Sequence, residues 1–368
     1  MARGPAHALG RQPVVSSDGV DASASLVVYV PFPMLHTALD AGRLEQIHPG
    51  IEVLTTPFEI DHELRTAMEQ EPFSEELRAR APELSPVQRN AFARAEIVFT
   101  LDVPMDLPPL APRLRWVQCI GSGVGQYVAA RLPEGDVVLT NGAGIAAAPI
   151  AEWVLARTLQ IVKRLPEHDA NAREHQWSMA LGGHLSGRTV AIVGLGAIGR
   201  EAARRFRAFG VHLLGVRRHW SPEATDPDVD ELFGPDALHD VVARSDVVVL
   251  AAPGSDDNED MFDEATFAAM REGSIFVNVA RGTLVDEAAL VHALASGHLG
   301  AAAIDVARRE PLPRDDPLWS APNLFVSPHS SASGERYADR AFDLFCDNLA
   351  RYVAGEPLRN VVDLTGGY

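Results

Sequence analysis

Cysteine and lysine are the residues that this sequence has least of. Cys119 and Cys346 are the only cysteines in 368 residues, and neither lies in a CxxC or metal-ligand spacing. Such sparing use of cysteine is typical of a reducing compartment, so we expect a cytoplasmic location. Lys163 is the only lysine, and its run IVKRLPE resembles the end of a helix, which argues against Schiff-base chemistry.

Positive charge, long hydrophobic runs and metal-ligand pairs are also scarce. The 32 basic residues are outnumbered by 50 acidic ones, and the formal net charge of −18 argues against a nucleic acid or an anionic membrane as the main partner. No apolar run approaches the roughly 18 residues of a membrane span. None of the 13 histidines forms an HxH or HExxH pair, so we expect no metal site.

The N-terminal segment differs in composition from the rest of the chain. Residues 1–25 are rich in Ala, Gly, Ser and Pro, and they lack the continuous apolar stretch of about 7–15 residues found in a secretory signal. We therefore expect a disordered extension there. The remaining length exceeds one ordinary hydrophobic core, so two domains are expected.

A first series of strands and helices indicates an α/β unit. Apolar strand candidates alternate with helical stretches rich in Ala, Leu, Glu and Arg, and one such stretch runs from His62 to Ala95. The strand candidates are residues 26–30, 51–54, 97–101, 116–120 and 137–140. A long helical pattern follows from Ala148, with apolar residues on more than one face, as expected of a helix that joins domains or packs on a second subunit.

A second series begins at Thr189, and its apolar runs do not alternate with polar residues. Such runs are typical of a parallel sheet that is covered on both faces. The strand candidates are residues 189–194, 211–216, 246–253, 274–280, 300–306 and 324–329, and the helices between them are 197–210, 263–273 and 286–297. A final helical stretch, about 334–352, can return to the first domain. We predict an α/β protein with two Rossmann-like domains, each with a doubly wound parallel sheet.

The turn GLGAIG fits the dinucleotide-binding pattern G-x-G-x-x-G between a strand and a helix. Gly194 would permit the tight turn, Gly196 the approach of a pyrophosphate, and Gly199 the close packing of helix on strand. Ala197 and Ile198 complete the predicted contact with the cofactor. A bare motif of this kind is as often an ordinary turn, but the strand–helix–strand unit around it favours dinucleotide binding.

Two other glycine-rich turns compete with this one. NGAGIAA imitates the pattern with Gly142, Gly144 and Ala147, but no strand follows about 20 residues later as a dinucleotide fold requires. GSGVG, residues 121–125, lacks the third-glycine spacing, although its small residues could present backbone N–H groups to a small anion. The sequence therefore predicts one dinucleotide site, at GLGAIG.

The residues after the second strand of this unit select the coenzyme. A site for NAD needs an acidic residue there for the ribose 2′-OH, whereas VHLLGV ends in Arg217 and Arg218 with His219 beside them. A guanidinium pairs with a 2′-phosphate in a bidentate fork. A solvated basic turn is the alternative interpretation. We predict NADP(H) as the preferred coenzyme, with NAD(H) as the lesser choice.

Three polar residues follow strands of the second series, where open α/β sheets bind their ligands. They are Arg281 in NVARG, Glu310 in the REP turn and His329 in SPHSSA. Reduction of a 2-oxo acid needs a cation for the carboxylate and an acid for the carbonyl oxygen, and Arg and a carboxylate-backed His suit these tasks. Each residue alone is more often structural, but their joint arrangement favours catalysis.

GLGAIG, NVARG, EPLPRDDPLW and SPH, in this order and spacing, resemble the D-isomer-specific 2-hydroxyacid dehydrogenase family, whose members include glyoxylate/hydroxypyruvate reductases. The resemblance extends from about Trp116 to Val362. It implies a cofactor domain of residues 148–329 inserted into a discontinuous substrate domain of residues 26–147 and 330–368. It also implies a reductase that passes hydride from NADPH to a small 2-oxo acid and forms the D-2-hydroxy acid.

The resemblance also implies roles for individual residues. Arg281 would bind substrate, His329 would be the acid–base residue, and Glu310 would orient His329. The residues implied to offer backbone N–H groups to the substrate carboxylate are Ser122, Gly123 and Val124. Those implied to line the nicotinamide half of the cofactor are Ala252, Pro253, Ala280 and Asp305.

The sequence departs from the family pattern in three places. Arg217 replaces the usual acid, Gly125 stands where many relatives carry Asp, and residues 254–260, GSDDNED, are more acidic than their counterparts. Formate dehydrogenases would carry Gln in place of Glu310, so we set them aside. A phosphoglycerate dehydrogenase-like enzyme stays an alternative, although we expect no regulatory domain after Tyr368.

A cofactor-sensing, non-catalytic binding protein of the same fold is the second alternative, and the acidic composition disfavours it. For the enzyme we predict a small-molecule substrate and a homodimer. The helix from Ala148 and the segment around Trp177 carry more apolar surface than one domain can cover.

Overall fold

The computed structural model describes residues 24–71, 73–132 and 137–362. Residues 1–23 of the expected extension lie outside the described residues. The chain divides into two units, of which the first ends at Ile145 and resumes at Arg336, and the second is Ala146–Glu335. In the part of the chain that is described, no helix combines the length and the apolar character needed to cross a bilayer. The assignment of the two units to substrate and cofactor stays a prediction.

The strands and helices follow the apolar runs closely. The strands are β1 (Leu26–Tyr29), β2 (Ile51–Leu54), β3 (Ile97–Thr100), β4 (Trp116–Cys119), β5 (Val138–Thr140), β6 (Thr189–Val193), β7 (His212–Val216), β8 (Glu231–Phe233), β9 (Val247–Leu250), β10 (Ser274–Asn278), β11 (Leu299–Ile304) and β12 (Leu324–Val326). The helices are α1 (Ala41–Ile47), α2 (His62–Gln70), α3 (Glu75–Ala79), α4 (Pro86–Arg94), α5 (Leu107–Leu110), α6 (Gly125–Ala129), α7 (Ala147–Val162), α8 (Leu165–Arg173), α9 (Ala197–Arg207), α10 (Leu238–Ala243), α11 (Glu264–Ala269), α12 (Glu287–Ala295) and α13 (Tyr337–Ala354).

The first unit is a parallel sheet in the order β2-β1-β3-β4-β5. Both faces of the sheet are covered, which explains why its strands are apolar throughout. On one face Phe345 of α13 stacks on Phe99 of β3, with ring centroids 4.5 Å apart. On the other face Phe92 of α4 packs edge-on against Tyr29 of β1. The C-terminal helix α13 therefore packs on the sheet of the first unit.

The helical stretch expected over residues 62–95 is divided into three helices. Each begins at a capping side chain: Asp61 accepts from the Leu64 N–H, Ser74 caps α3, and Ser85 forms a capping box at α4. Such caps satisfy backbone N–H groups that a helix start leaves without partners. The break before α4 follows from Pro86, which fits the first turn of a helix but not its interior.

The second unit is a parallel sheet in the order β12-β11-β10-β9-β6-β7-β8. Chain order reverses between β6 and β9, so the topological switch point lies where β6 ends. The sequence did not predict β8 or α10, because three and six residues are too short for a clear pattern. The predicted α/β class with two parallel sheets is confirmed.

The helix expected from Ala148 is α7, and it buries one face against α9 and the second sheet. The following α8 has no buried residue, and the chain then returns to the end of α7, where the Gly183 N–H donates to Val162 O at 2.7 Å. Between these points Trp177 and Leu181 are strongly exposed. Residues 164–182 thus form an arm that is held at its base and carries exposed apolar side chains.

Candidate active site

The turn GLGAIG joins β6 to α9, and its three glycines have three different environments. Gly194 has φ +100°, and a Cβ there would lie 2.5 Å from Ala252 N. A Cβ on Gly199 would lie 2.0 Å from Gly194 O, so helix and turn pack backbone to backbone. A Cβ on Gly196 would meet no described atom within 4 Å. The turn therefore leaves the N-terminus of α9 open at Gly196, as a pyrophosphate site requires.

In the competing turn NGAGIAA, close packing explains why residue 142 is a glycine. A Cβ on Gly142 would lie 1.9 Å from Ile120 O, and the Gly142 N–H donates to Gly121 O at 2.7 Å. Gly142 therefore lets the turn after β5 pack on the turn after β4. No strand of the first sheet follows this turn within residues 147–162, which form α7. The sequence-based choice of GLGAIG over NGAGIAA agrees with this packing.

Two arginines follow β7, as the sequence predicted. Arg217 Nη1 lies 3.4 Å from Asp226 Oδ2, and Arg218 Nη2 donates to Ser255 Oγ at 3.2 Å. His219 is exposed beside them. The single long contact of Arg217 leaves most of its guanidinium donors for another acceptor.

The carboxylate beside Arg217 is already occupied by a second arginine. Arg200, in the first turn of α9, donates to both oxygens of Asp226 at 2.8 and 2.7 Å, and the Asp228 N–H donates to Asp226 Oδ1. Burial is the largest single influence on Asp226 and would raise its pKa, but the Arg200 hydrogen bonds, the Asp228 N–H and the charges of Arg200 and Arg217 together lower it. Sequence reasoning missed this ion pair, because the two residues lie 26 positions apart.

His329 and Glu310 form a pair at the ends of β12 and β11. His329 Nδ1 lies 2.8 Å from Glu310 Oε2, and the Ala307 N–H donates to Glu310 Oε1 at 3.0 Å. The side chain of His329 is 47% exposed, whereas that of Glu310 is 19% exposed. The carboxylate is therefore anchored and largely shielded, while the imidazole reaches solvent with Nε2 unengaged by Glu310.

This contact shifts the pKa of both groups. The Glu310 hydrogen bond is the largest influence on His329 and raises its pKa above the ordinary value, against opposing effects of burial and of the Arg281 charge. Burial is the largest single influence on Glu310 and would raise its pKa, but the hydrogen bond and charge of His329, the Ala307 N–H and the Arg281 charge together lower it. The Glu310 carboxylate thus favours the protonated imidazole, the form that can act as an acid.

Asp305 supports the turn that carries His329. Its side chain is buried and accepts from the Ser327 hydroxyl and from the Ser330 and Ser331 N–H groups at 2.9 and 3.0 Å. Its carbonyl oxygen accepts from the His329 N–H at 2.8 Å. These bonds hold His329 at φ +49°, a backbone conformation that is unfavourable without such support. The prediction that Asp305 lines the nicotinamide half stays a prediction.

Arg281 follows β10 and is exposed. Its Nη1 donates to Ala280 O at 2.8 Å. Its side chain packs beside Gly254, where a Cβ would lie 3.2 Å from Arg281 Cγ. Its charge acts on both His329 and Glu310, opposing the protonation of the imidazole. The structure therefore brings the predicted catalytic residues together within the second unit.

The predicted substrate loop lies in the first unit, between β4 and α6. Asn141 Nδ2 donates to Ser122 O at 3.0 Å, and the Gly121 N–H donates to Cys119 Sγ at 3.2 Å. Neither the Ser122 N–H nor the Gly123 N–H donates to an acceptor among the described residues. The loop can therefore offer these groups to an anion. Its role in binding substrate stays a prediction.

Comparison with known proteins identifies the family of this chain. The family model for the NAD binding domain of D-isomer specific 2-hydroxyacid dehydrogenases matches residues 155–331. A glyoxylate reductase from Korarchaeum cryptofilum is 30% identical over 262 residues, which cover 69% of this chain and 77% of that protein. The chain belongs to the D-isomer specific 2-hydroxyacid dehydrogenase family.

Other members of this family share the sequence or the fold. A D-3-phosphoglycerate dehydrogenase from Mycobacterium bovis is 34% identical over 259 residues, or 70% of this chain and 48% of that protein, so the chain spans about half the length of such relatives. The structure of an NADPH-dependent glyoxylate/hydroxypyruvate reductase from Sinorhizobium meliloti, in complex with NADP and sulfate, matches with a TM-score of 0.71. That match has 27% identity and covers 94% of this chain and 100% of that chain.

The family model that matches residues 155–331 is that of an NAD binding domain. The residues of the second unit fit a dinucleotide. Gly196 keeps the start of α9 clear, and Arg217 presents a cation after β7. The backbone of Ala252 contacts Gly194, and Pro253 is exposed next to it. These environments suit a bound coenzyme, although the individual contacts stay predictions.

Proposed function

We propose that this protein is an NADPH-preferring reductase that converts a small 2-oxo acid, of the glyoxylate or hydroxypyruvate kind, to the D-2-hydroxy acid. The observation that supports this most directly is the contact of His329 with Glu310, beside the charge of Arg281, in the same unit as the GLGAIG turn. A carboxylate-backed imidazole next to an exposed guanidinium suits an anionic substrate that must gain a proton.

In this proposal each residue has one task. The guanidinium of Arg281 binds the substrate carboxylate and polarises the carbonyl group. His329 donates the Nε2 proton to the carbonyl oxygen, and Glu310 keeps the imidazole protonated and oriented through Nδ1. The bound reduced nicotinamide supplies the hydride. We also propose, from the family resemblance, that the backbone N–H groups of Ser122, Gly123 and Val124 bind the substrate carboxylate.

The surroundings of Arg217 favour NADPH over NADH. The acid nearest to Arg217 is Asp226, and its oxygens accept from Arg200, Arg217 and the Asp228 N–H. Its side chain is only 3% exposed, so it is poorly placed to accept from a ribose 2′-OH. Arg217, by contrast, is partly exposed and can pair with a 2′-phosphate. Arg218 lies next to it and can add a second cation.

A substrate screen with each coenzyme tests the proposal. Purified protein is mixed with glyoxylate, hydroxypyruvate or bulkier 2-oxo acids, and the absorbance of reduced nicotinamide is followed with NADPH and with NADH. We expect turnover of at least one 2-oxo acid, with a higher kcat/KM for NADPH. Equal efficiency with the two coenzymes would refute the NADPH preference, and binding of NADPH without turnover of any substrate would favour a sensing protein.

Oxidation of a phosphoglycerate is the second candidate, because relatives of that name are 34% identical to the chain. The same screen decides this point when 3-phosphoglycerate is included with NAD⁺ and NADP⁺. A kcat/KM for 3-phosphoglycerate above that for every 2-oxo acid would replace the first proposal. The presence of Arg281, Glu310 and His329 suits either direction of hydride transfer.

We further propose a homodimer in a reducing, cytoplasmic compartment. Cys119 and Cys346 are both buried, and they form no disulfide with each other. Trp177 and Leu181 of the arm are exposed, and large exposed apolar groups on one segment are typical of an interface. Sedimentation at micromolar concentration should give a dimer, and Trp177→Ser should shift it towards monomer. A monomeric wild-type protein would contradict the proposal.

A further inference from the structure

The acidic residues 254–260, a departure from the family pattern, end against the two loops that carry the proposed catalytic residues. We define the acidic loop as residues 254–260, the Arg281 loop as residues 281–285 and the Glu310 loop as residues 305–311. The Asp260 N–H donates to Thr283 O at 3.0 Å, which joins the acidic loop to the Arg281 loop. None of the three loops includes the coenzyme turn, residues 194–199.

The side chain of Arg308 contacts all of these segments. Its Nη1 donates to Glu259 Oε1 at 3.0 Å, and its Nη2 donates to Asp260 Oδ1. The same Nη2 lies 3.2 Å from both Thr283 O and Val285 O in the Arg281 loop. Because Arg308 itself belongs to the Glu310 loop, one guanidinium joins three loops.

Backbone packing shows how close these loops lie. A Cβ on Gly282 would lie 2.0 Å from the carbonyl carbon of Ala307, so the Arg281 loop touches the Glu310 loop without an intervening side chain. The Arg308 N–H donates to Glu287 Oε1 at 2.6 Å, at the start of α12. The next N–H towards the N-terminus, that of Ala307, donates to Glu310. A shift of Arg308 therefore moves the segment that holds the Glu310 carboxylate.

We propose that Arg308, held by Glu259 and Asp260, is a positioning residue that fixes Arg281 relative to the Glu310–His329 pair. This inference rests on the proposed function. A planar guanidinium with five donors can satisfy two carboxylates and two carbonyl oxygens at once, which an ammonium group does less well. The acidic loop supplies the counter-charge that keeps the guanidinium in place.

The exposure of the ion pairs makes this role separable from folding. Arg308 is 36% exposed, and Glu259 and Asp260 are more exposed still. Ion pairs with this much solvent contact contribute little to stability. Placement of catalytic groups is far more sensitive, since a displacement of about 1 Å can reduce the rate by about a hundredfold. Loss of Arg308 should therefore reduce catalysis much more than it reduces stability.

The test compares Arg308→Met, Arg308→Lys and the control Arg309→Met, which removes an exposed arginine from the next position. With glyoxylate as substrate, Arg308→Met should lower kcat/KM by about tenfold, and Arg308→Lys should restore part of it. The Kd of NADPH, measured by fluorescence without substrate, should stay within about twofold of wild type. The melting temperature should be close to that of Arg309→Met.

Hydrogen–deuterium exchange of the ligand-free protein supplies a readout that does not depend on turnover. In Arg308→Met, exchange should rise in peptides that cover residues 259–262, 281–285 and 307–310, and it should not change in peptides that cover the coenzyme turn. Arg309→Met should leave all of these peptides unchanged.

Three outcomes overturn the inference. The first is wild-type kcat/KM and exchange in Arg308→Met. The second is a parallel loss of melting temperature, NADPH affinity and activity, which would indicate general loosening. The third is equal loss in Arg309→Met. Failure of the proposed function looks different, because wild-type protein would then reduce no 2-oxo acid, while the exchange experiment would still decide whether Arg308 joins the loops.

Discussion

The seven-stranded sheet carries the two proposed functional regions at the carboxyl ends of its strands, and they are built by different means. At the glycine turn after β6, the backbone determines the geometry. Gly194 has a positive φ, a Cβ on Gly196 would meet no described atom within 4 Å, and Gly199 packs closely on Gly194. At the ends of β10 to β12, side chains from separate loops act on each other, as in the 2.8 Å contact of His329 with Glu310. One region depends on what a side chain would obstruct, and the other on where side chains are held.

This difference explains how each region should respond to substitution. A glycine site fails by steric exclusion, which depends on the one position changed. A side-chain site fails when a charge is lost or displaced, and the effect depends on its partners. The variants below separate these two kinds of failure, beginning with the largest expected effect.

The largest loss is expected for Arg281→Ala in the side-chain region. Without the guanidinium, the substrate carboxylate loses its partner, and kcat/KM for a 2-oxo acid should fall by roughly a thousandfold. Arg271→Ala is the matched control, since Arg271 forms an exposed ion pair with Asp246 in the same unit. Steady-state kinetics with NADPH check the result. A loss below about tenfold would remove Arg281 from the substrate site.

Two alanine variants test the glycine region. Gly199→Ala should lower stability by about 2–4 kcal/mol, because its Cβ would lie 2.0 Å from Gly194 O. Gly196→Ala should fold normally, since no described atom lies within 4 Å of its Cβ, yet it should weaken NADPH binding by about tenfold or more. Thermal unfolding and coenzyme titration measure the two effects. Equal NADPH affinity in Gly196→Ala and wild type would contradict a pyrophosphate site at this turn.

The two regions also differ in how far the sequence alone could predict them. The glycine turn is local: a strand, six residues and a helix specify it, and the predicted role of each glycine matches its observed environment. Every strand except β8 was predicted to within a few residues for the same reason, because apolar runs are recognised from neighbouring positions.

In the proposed catalytic region the sequence predicted the residue types and, through the family resemblance, the pairing of Glu310 with His329, but not the contacts that support them. Arg281, Glu310 and His329 follow strands, and a parallel sheet brings such positions to one edge. The contacts of Asp305 with Ser330, and of Arg308 with Asp260, depend on loop geometry and join residues 25 and 48 positions apart. No local pattern specifies such pairs, and for that reason Arg308 and Asp226 were missed.

The proposed coenzyme site also depends on a side chain, Arg217, and not only on the glycine backbone. Arg217→Ala should lower kcat/KM with NADPH by about 10- to 100-fold through loss of a charge-assisted contact with the 2′-phosphate, and it should change the value with NADH little. Arg207→Ala is the control, because Arg207 lies at the C-terminal end of α9 and pairs with Asp230. An unchanged ratio of the two efficiencies in Arg217→Ala would assign the phosphate to another residue.

Glu310→Gln tests the charge at the catalytic end. The folded protein raises the pKa of His329 mainly through the Glu310 hydrogen bond, so the acid form persists to higher pH than in a free histidine. Reduction should be fastest at low pH and fall as pH rises through that pKa. In Glu310→Gln the fall should begin at lower pH, with a loss of about tenfold on the alkaline side. Glu272→Gln, at an exposed position, is the control, and an unchanged profile in Glu310→Gln would exclude Glu310 from the mechanism.

The smallest effect is expected for Asp226→Asn. This variant tests whether the proposed coenzyme site, like the proposed catalytic site, depends on a side chain that holds another side chain in place. Asp226 contacts both Arg200 and Arg217, so its charge places Arg217 against α9. Asp228→Asn is the matched control, since Asp228 is equally buried and pairs with Arg200 and Arg204 instead. Both variants should lose similar stability, about 1 kcal/mol, but only Asp226→Asn should lower the preference for NADP⁺ over NAD⁺ binding, by about fivefold. Calorimetric titration with each coenzyme measures this preference, and the same preference in both variants would show that Arg217 binds the 2′-phosphate without help from Asp226.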